Sequence, residues 1–285
     1  MKATGVQVVD ERSLKARLCH AGGQDVWSLQ NAGLRAEVSQ DGQLLAVVKD
    51  GVELLATPAE LVLTNKVSGL VVHGHGLTSA VSTGDSTSVQ FTSEFPGGYT
   101  VRQEFALDAH ALRWQVEVES QGADHEIEVS FGLPVIQRFE EAFWTAEGAP
   151  FRMDELPRRS LTYRSGMVLP LVVLYSERSD VGITVAAPLE MPKPWLSFAF
   201  GTKKLAVAYS RLRAGRGRTS RAAICLAVHE GDWRPGLAWL LERYPEYFRA
   251  QSEQVLAGEG PYAMGFPNHS EQQIREFAAQ GVQWQ

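Results

Sequence analysis

The sequence predicts a mainly β protein built from two stacked antiparallel sheets. The first observation is that apolar and polar residues alternate with a period of two between about residues 24 and 230; this pattern is typical of strands with one buried and one wet face. The second is that turns rich in Gly, Pro and Asp separate the alternating runs. The third is that no helical period interrupts them. A chain with this many strands needs two sheets or a barrel to bury their apolar faces.

Residues 111–120, ALRWQVEVES, show the alternation most clearly, and residues 99–107 and 126–131 repeat it. The apolar positions of the first run are Leu112, Trp114, Val116 and Val118, and Arg, Gln and Glu separate them. Further strands are predicted at 26–30, 34–39, 44–48, 61–65, 168–175, 181–186, 195–200, 204–211 and 221–228. Turns are expected at QDGQ (40–43), KDG (49–51), FPGG (95–98) and DAHA (108–111), because Gly, Pro and Asp favour turn conformations.

The pattern changes after residue 230, where GDWRPGLAWLLERYPEYF (231–248) predicts a helix. Asp232 is expected to cap this helix at its amino end, and Pro245 limits it to about three turns. Its apolar face is predicted to carry Leu237, Leu240, Leu241 and Tyr244. We therefore expect a linking helix at the end of the β domain.

Residues 261–285 predict the opening of a strand–helix–strand unit. PYAMGFP (261–267) has the character of a short strand, and Ser270 with Gln273 forms the sequence signature of a capping box. Gly281 is placed to end the helix, and VQW (282–284) then indicates the start of a second strand. The expected organisation is a β domain (1–230), a linking helix and linker (231–258) and a βα fragment (259–285).

The composition narrows the classes of partner. Of the 285 residues, 44% are hydrophobic and 21% charged, and the net charge of −6 argues against a nucleic-acid backbone as partner. The longest apolar stretch, residues 167–175, is shorter than the roughly 20 residues that span a bilayer, and the amino-terminal sequence lacks the apolar core of a signal peptide. Cys19 and Cys225 are expected to be buried thiols. We expect a cytoplasmic chain with no nucleic-acid partner, no membrane partner and no cofactor.

Two stretches carry a resemblance to a known family. DVWSLQNAGLRAEVSQDGQLLAVVKDGVELL (25–55) resembles the entry of galactose-mutarotase-like β-supersandwich domains, in which a strand bearing an Asn is followed by a second strand, a Gly turn and a third strand. HEGDWRPGLAWLLERYPEYF (229–248) resembles the closing strand and linking helix found where such a domain precedes a (β/α) barrel in multidomain glycoside hydrolases. The tail then looks like the start of that barrel.

This resemblance implies a non-catalytic N-terminal accessory domain that supports or extends a carbohydrate site. A complete (β/α)8 barrel needs about 250 residues, so the catalytic carboxylates of such an enzyme are expected beyond residue 285, and the missing barrel is the expected partner. Two alternatives remain open. The fold also hosts aldose 1-epimerases, which act on free sugars through a carboxylate base and a histidine acid. A purely structural assembly module is the other, and it predicts no polar pocket.

No catalytic or metal-binding residue is predicted, but six residues are candidates for contact with carbohydrate: Trp144, Arg152, Asp154, Trp195, His73 and His75. The first three lie in a long non-alternating stretch (140–160), and long loops on rigid β scaffolds often carry binding sites. Trp195 follows two prolines, and the two histidines at i, i+2 of a strand point the same way. The competing interpretation is core or interface packing for the tryptophans and a surface position for the histidines.

Two further clusters have structural explanations. The segment 229–232 contains three possible metal ligands, His229, Glu230 and Asp232. A structural role explains this segment better, with Asp232 capping the helix and Trp233 packing against the sheet. The arginine-rich segment SRLRAGRGRTSR (210–221) contains no aromatic residue for base stacking. It is therefore predicted to be a solvated hairpin turn and not a nucleic-acid patch.

Overall fold

The computed structural model describes residues 15–21, 24–31, 33–74, 83–84, 87–135, 139–144, 150–153, 160–162, 169–191, 195–201, 204–249 and 270–279. Its secondary structure is almost entirely antiparallel β. In chain order the strands are Lys15–Ala21 (β1), Gln24–Gln30 (β2), Leu34–Ser39 (β3), Leu44–Lys49 (β4), Val52–Glu53 (β5), Glu60–Asn65 (β6), Val71–His73 (β7), Thr83–Gly84 (β8), Ser88–Phe95 (β9), Tyr99–Leu107 (β10), Ala111–Ser120 (β11), His125–Leu133 (β12), Glu141–Phe143 (β13), Phe151–Arg152 (β14), Ser160–Thr162 (β15), Leu171–Ser176 (β16), Val181–Ala186 (β17), Leu196–Phe200 (β18), Leu205–Ala214 (β19) and Thr219–His229 (β20).

The described strands form three hydrogen-bonded sheets. Strands β1 to β5 make an antiparallel meander. A nine-stranded sheet has the order β14-β13-β16-β17-β20-β11-β10-β9-β8, and a six-stranded sheet has the order β15-β18-β19-β12-β6-β7. The central pairings follow the alternation in the sequence, so that Trp114 lies opposite Phe105 and Val116 lies opposite Gln103.

The two smaller sheets cover the same face of the nine-stranded sheet. Phe91, Phe105 and Trp114 form a chain of ring contacts on that face, and Trp114 packs edge-on against Phe131 of the six-stranded sheet at 5.0 Å between centroids. At the other end, Gly42 of the β3–β4 turn comes so close to Phe91 that an added Cβ would lie 3.3 Å from its ring. The predicted antiparallel sandwich is confirmed, and one of its two layers is divided into separate sheets.

The predicted strand boundaries agree closely with the structure wherever the alternation is strict. Strands 34–39 and 181–186 begin and end as expected. The stretch 140–160, expected to be a loop, instead contains β13 and β14, which pair with each other and extend the edge of the nine-stranded sheet. They are too short for periodicity to reveal. The arginine-rich segment lies in the β19–β20 hairpin, as predicted, with Gly215 bridged to Arg218 at its turn.

The predicted linking helix is present as α1, Arg234–Arg243. The backbone N–H of Arg234 donates to Oδ1 of Asp232 at 2.9 Å, and Trp233 stacks on Phe143 of β13 at 4.1 Å between centroids. Both structural explanations of this segment are confirmed. The buried positions of the helix are Gly236 and Leu240, whereas Leu241 is 39% exposed. The helix turns the side that carries Gly236 toward the sheet, and Leu241 therefore lies partly in solvent.

The chain forms two compact units, residues 1–240 and 241–285. The hydrophobic core belongs to the first unit. The second contains a short 3-10 helix, Pro245–Tyr247, and helix α2, Glu271–Ala279. The capping box is confirmed: the backbone N–H of Ser270 donates to Oε1 of Gln273 at 2.8 Å, and the N–H of Gln273 donates to Oγ of Ser270 at 3.3 Å. The expected flanking strands lie outside the described residues. None of the described helices is long and apolar enough to span a membrane.

Candidate functional site

The outer face of strands β9, β10 and β11 carries a row of polar side chains around a depression on the nine-stranded sheet. Odd-numbered residues of β9 and β10 point into the core, and the intervening residues point outward. Together with the outward residues of β11 they surround a shallow depression of about 130 Å³. We call this surface the β9–β11 face; its outward side chains are Gln90, Thr92, Arg102, Glu104, Gln115 and Glu117.

Arg102 stands at the middle strand of this face. Its register partners are Thr92 on β9 and Glu117 on β11. Glu117 is held from the far side by Arg221 of β20, whose Nε lies 2.7 Å from Oε1 of Glu117. The Arg102 side chain is exposed, and no acidic side chain among the described residues forms an ion pair with it. Its guanidinium is therefore available to a ligand.

Glu104, the next outward residue on β10, lies between Gln90 and Gln115. The amide of Gln90 donates to Oε1 of Glu104 at 3.2 Å. Gln115 in turn accepts a hydrogen bond from Nη2 of Arg113 at 3.1 Å, and Nη1 of the same arginine lies 2.9 Å from Oε1 of Glu190. The face thus presents donors and acceptors side by side at fixed positions, which is the pattern that sugar hydroxyls require, since each hydroxyl both donates and accepts.

The other half of the outer face is covered by α1 and serves packing. His229 at the end of β20 lies beneath the helix, where its Nδ1–H donates to the carbonyl of Glu230 at 3.1 Å and its Nε2 accepts from the hydroxyl of Thr184 at 3.3 Å. Gly236 of the helix lies directly above this pair. Burial is the main cause that lowers the pKa of His229 below its ordinary value of 6.5. A half-buried neutral imidazole with both nitrogens hydrogen-bonded has a structural role.

The predicted residues of the 140–160 stretch lie at the edge of the nine-stranded sheet. Trp144 is 1% exposed and packs against Phe151 and Phe200, with centroids 5.0 and 5.3 Å away. A ring buried in this way has no free face for a sugar. Arg152 is exposed on β14, opposite Glu141. Asp154 lies outside the described residues, as does His75.

The two remaining candidates lie on the six-stranded sheet. Trp195 immediately precedes β18 and is half-buried, and His73 is exposed on β7. Four strand spacings separate β18 from β7, which amounts to roughly 19 Å. The structure therefore does not bring Trp195 and His73 together, and neither faces the β9–β11 face. Their roles in binding remain predictions.

Sequence reasoning did not select the residues of the β9–β11 face, although a signal was present. The outward positions of three consecutive strands are occupied by long polar side chains, among them Gln90, Arg102 and Glu117. Alternation alone marks such positions as wet. It does not distinguish a surface that meets only solvent from one that lines a depression.

No protein-family model matches this sequence, and no curated protein sequence matches it. Solved structures do match its fold. One is a galactose mutarotase-like protein from Lactobacillus casei, with a TM-score of 0.51, 14% identity, and coverage of 72% of this chain and 100% of that chain. Another is a galactose 1-epimerase from Lactobacillus acidophilus, with a TM-score of 0.51, 11% identity and coverage of 77% and 100%.

A third match is an alpha-mannosidase from Enterococcus faecalis, with a TM-score of 0.53 and 12% identity. It covers 84% of this chain but only 32% of the alpha-mannosidase chain, so this chain spans about a third of that protein. At such identities the matches establish the fold alone, a galactose-mutarotase-like β-sandwich.

Proposed function

We propose that this chain is a carbohydrate-binding domain whose β9–β11 face binds a sugar, and that it serves as a non-catalytic accessory domain of a glycoside-hydrolase-like protein. The observation that carries the proposal is the polar depression on the outer face of the nine-stranded sheet. Because proteins of one fold differ in function, the proposal is argued from the residues of this face and not from the fold.

The chemistry of the face suits one sugar ring. The depression has a volume of about 130 Å³, which is smaller than the roughly 300 Å³ at which enclosed small-molecule pockets begin. A saccharide would therefore lie on the sheet with one ring in the depression. Arg102 offers a fork of donors, and Glu104 offers an acceptor whose charge strengthens the hydrogen bonds that it accepts. Gln90 and Gln115 supply both kinds of group.

The match to the alpha-mannosidase supports the accessory role. In that protein the part that matches this fold makes up about a third of a longer chain. The predicted partner, a (β/α) barrel, belongs to the same proposal. A purely structural module predicts no polar pocket, and the depression argues against it.

An aldose 1-epimerase is the second candidate. Glu104 and Glu117 could each act as the carboxylate base, and a galactose 1-epimerase shares the fold. However, ring opening also needs an acid, and among the described residues no histidine lines the depression. Binding without turnover is therefore the better-supported function.

The decisive experiment titrates the protein with neutral monosaccharides, including D-galactose, D-glucose and D-mannose, while backbone amide shifts are followed by NMR. Glu104→Gln preserves shape and removes the charge, and should weaken binding about tenfold, which corresponds to about 1.4 kcal/mol for a charge-assisted hydrogen bond. Glu119→Gln is the matched control, because Glu119 lies on the same face of β11 but outside the depression.

Polarimetry of freshly dissolved α-D-galactose separates the two candidates. A binding domain leaves the rate of mutarotation at its uncatalysed value, whereas an epimerase accelerates it in a manner that Glu104→Gln or Glu117→Gln abolishes. If the Glu104→Gln and Glu119→Gln proteins show the same amide shifts as each other with every sugar, Glu104 does not contribute to binding. That result would refute a site on the β9–β11 face.

A further inference from the structure

Arg211 on β19 has an unusual backbone conformation. Its φ of 57° lies in the left-handed region, which residues other than Gly, Asn and Asp adopt rarely. Among the described residues only Asp50 and Asp180 share this property without being glycine. Backbone strain of this kind persists where the surroundings enforce it, and it is found at binding sites more often than elsewhere.

A β-bulge produces this conformation and turns the side chain outward. In the pairing of β12 with β19, Ile127 lies opposite Leu212 but Val129 lies opposite Tyr209, so two residues of β19 oppose the single residue at 128. Tyr209 and Leu212 both point inward, the first fully buried and the second packed partly against the core. Ser210 and Arg211 therefore both project from the outer face of the six-stranded sheet.

Once turned outward, Arg211 stacks on Trp195. Its guanidinium carbon lies 3.7 Å from the centre of the indole ring, and the backbone N–H of Ser210 donates to the carbonyl of Trp195 at 3.0 Å, which fixes the two segments together. A guanidinium stacked by its face keeps its N–H groups at its edge, in the geometry that matches a carboxylate. The stack thus immobilises the side chain in advance of binding.

The positive charge of Arg211 has no acidic partner among the described residues, whereas the lysines on the same face are paired. On the same face, Lys66 pairs with Glu128 at 3.0 Å, and Lys204 pairs with Glu60. No acidic side chain of the described residues pairs with Arg211. Ser210 donates its hydroxyl to Glu128, which places a carboxylate acceptor across the bulge from the free guanidinium.

We propose that Arg211, with Ser210, Trp195 and Glu128, forms a second saccharide site that binds the carboxylate of a uronic acid. The choice of a saccharide rests on the proposed carbohydrate function, and the choice of a carboxylate rests on the geometry of the guanidinium. Together Arg211, Lys66 and Glu128 have a net charge of +1, which matches one negative charge, and the Glu128 carboxylate opposes a doubly charged phosphate. Glu128 and Ser210 lie where ring hydroxyls would follow. This site lies in the opposite layer of the sandwich from the β9–β11 face.

The test titrates the protein with D-galacturonate and D-glucuronate and, in parallel, with D-galactose and D-glucose, and follows the indole N–H signals by NMR. Wild-type protein should bind at least one uronate with a saturable shift of the Trp195 signal, which Trp195→Phe assigns. Arg211→Gln should weaken this binding about tenfold or more. The matched control is Arg216→Gln, which removes the same charge from an exposed arginine in the adjacent turn and should change affinity less than about twofold.

Two further variants guard against a fold defect. Arg211→Gly relieves the left-handed strain, so it should fold with unchanged or higher thermal stability while losing uronate binding. Arg211→Lys retains charge without the planar fork and should bind with intermediate affinity. Glu104→Gln should leave uronate binding intact, which separates the fate of this proposal from that of the β9–β11 face.

The proposal is overturned if neither uronate binds, if Arg211→Gln binds as tightly as wild type, or if acetate alone binds as tightly as the uronates. It is also overturned if a glutamate-rich peptide binds through Arg211 more tightly than either uronate, since the site would then accept an acidic protein segment and not a sugar.

Discussion

At the scale of single residues, Asn31 shows how one buried polar side chain joins two sheets. Its Oδ1 accepts hydrogen bonds from the backbone N–H groups of Gly33 and Leu34 at 3.0 and 2.7 Å, which closes the β2–β3 turn. Its Nδ2 donates to the carbonyls of Asp108 and Ala109 at 2.7 and 3.1 Å, in the β10–β11 turn. Asn31 therefore links the meander to the nine-stranded sheet by hydrogen bonds between the β2–β3 turn and the β10–β11 turn.

Replacing Asn31 with Ala should lower the free energy of unfolding by about 2–3 kcal/mol. It leaves the buried N–H of Leu34 without its partner, at about 1–3 kcal/mol for an orphaned buried group, and it also removes three part-buried hydrogen bonds. Urea unfolding followed by circular dichroism measures the change. Gln30→Ala, at the exposed neighbouring position, should lie within about 0.5 kcal/mol of wild type. Similar losses in the two variants would mean that Asn31 does not fasten the sheets.

The sequence patterns predicted no turn at Asn31. The resemblance to mutarotase-like domains implies only that the opening strand bears an Asn. The partners of Nδ2, however, lie 77 and 78 residues further along the chain. A contact over that separation depends on the packing of complete sheets, and local pattern does not contain it.

At the scale of elements, helix α1 lies very close to the sheet because position 236 is glycine. A Cβ added at Gly236 would be 2.0 Å from Oγ1 of Thr184 and 3.0 Å from Nε2 of His229. Helices generally disfavour glycine by about 1 kcal/mol relative to alanine. Glycine allows the close contact at this position, because any side chain would push the helix away from β17 and β20.

Gly236→Ala should therefore destabilise the protein by about 1–3 kcal/mol, the usual cost of overpacking, despite the gain in helix propensity. The check is a double-mutant cycle with Thr184→Ala, which removes the clashing hydroxyl, so that the alanine at 236 costs less in that background. Ala238→Gly, at an exposed position of the same helix, calibrates the propensity alone. A stabilised Gly236→Ala protein would show that α1 does not pack as closely as described.

Elements with strict alternation were predictable from sequence, and those defined by their neighbours were not. Strands β3 and β17 follow from their pattern, as does the cap of α1 at Asp232. Strands β13 and β14 have three and two residues and exist because the edge of the nine-stranded sheet offers them partners. The bulge at Arg211 depends in the same way on the register of β12 against β19, which a single strand does not encode.

At the scale of the whole molecule, the sandwich uses the two ends of its largest sheet differently. The outer face of β16, β17 and the end of β20 is covered by α1, and Trp233, just before the helix, covers Phe143 of β13. The outer face of β9, β10 and β11 stays open and polar. The inner face is mostly apolar, and its buried polar side chains include Ser93, Gln103 and Ser120. Oε1 of Gln103 accepts a hydrogen bond from the indole N–H of Trp114 at 3.1 Å. The alternation predicted one wet face for each strand, and only the fold decides which part of that face the helix covers.

The covered end should make the stability of the whole fold depend on pH through His229. Burial lowers the pKa of this histidine in the folded protein below 6.5, the ordinary value that the unfolded chain retains; the carbonyl of Glu230 and the charge of Asp232 oppose the shift, and Lys49 adds to it. Between the two pKa values the unfolded state binds more protons than the folded state, so stability rises with pH. The contribution of His229 is complete above 6.5 and is lost as the pH falls through the folded pKa.

Urea unfolding at about pH 7.5 and about pH 5.5, either side of the ordinary histidine range, measures this dependence. His229→Gln keeps hydrogen-bonding groups but does not titrate, so the wild-type protein should lose more stability on acidification than the variant does. His110→Gln is the matched control, because His110 is exposed in the β10–β11 turn and should leave the wild-type dependence unchanged. If the wild-type and His229→Gln proteins lose equal stability between the two pH values, the imidazole is not held neutral beneath α1.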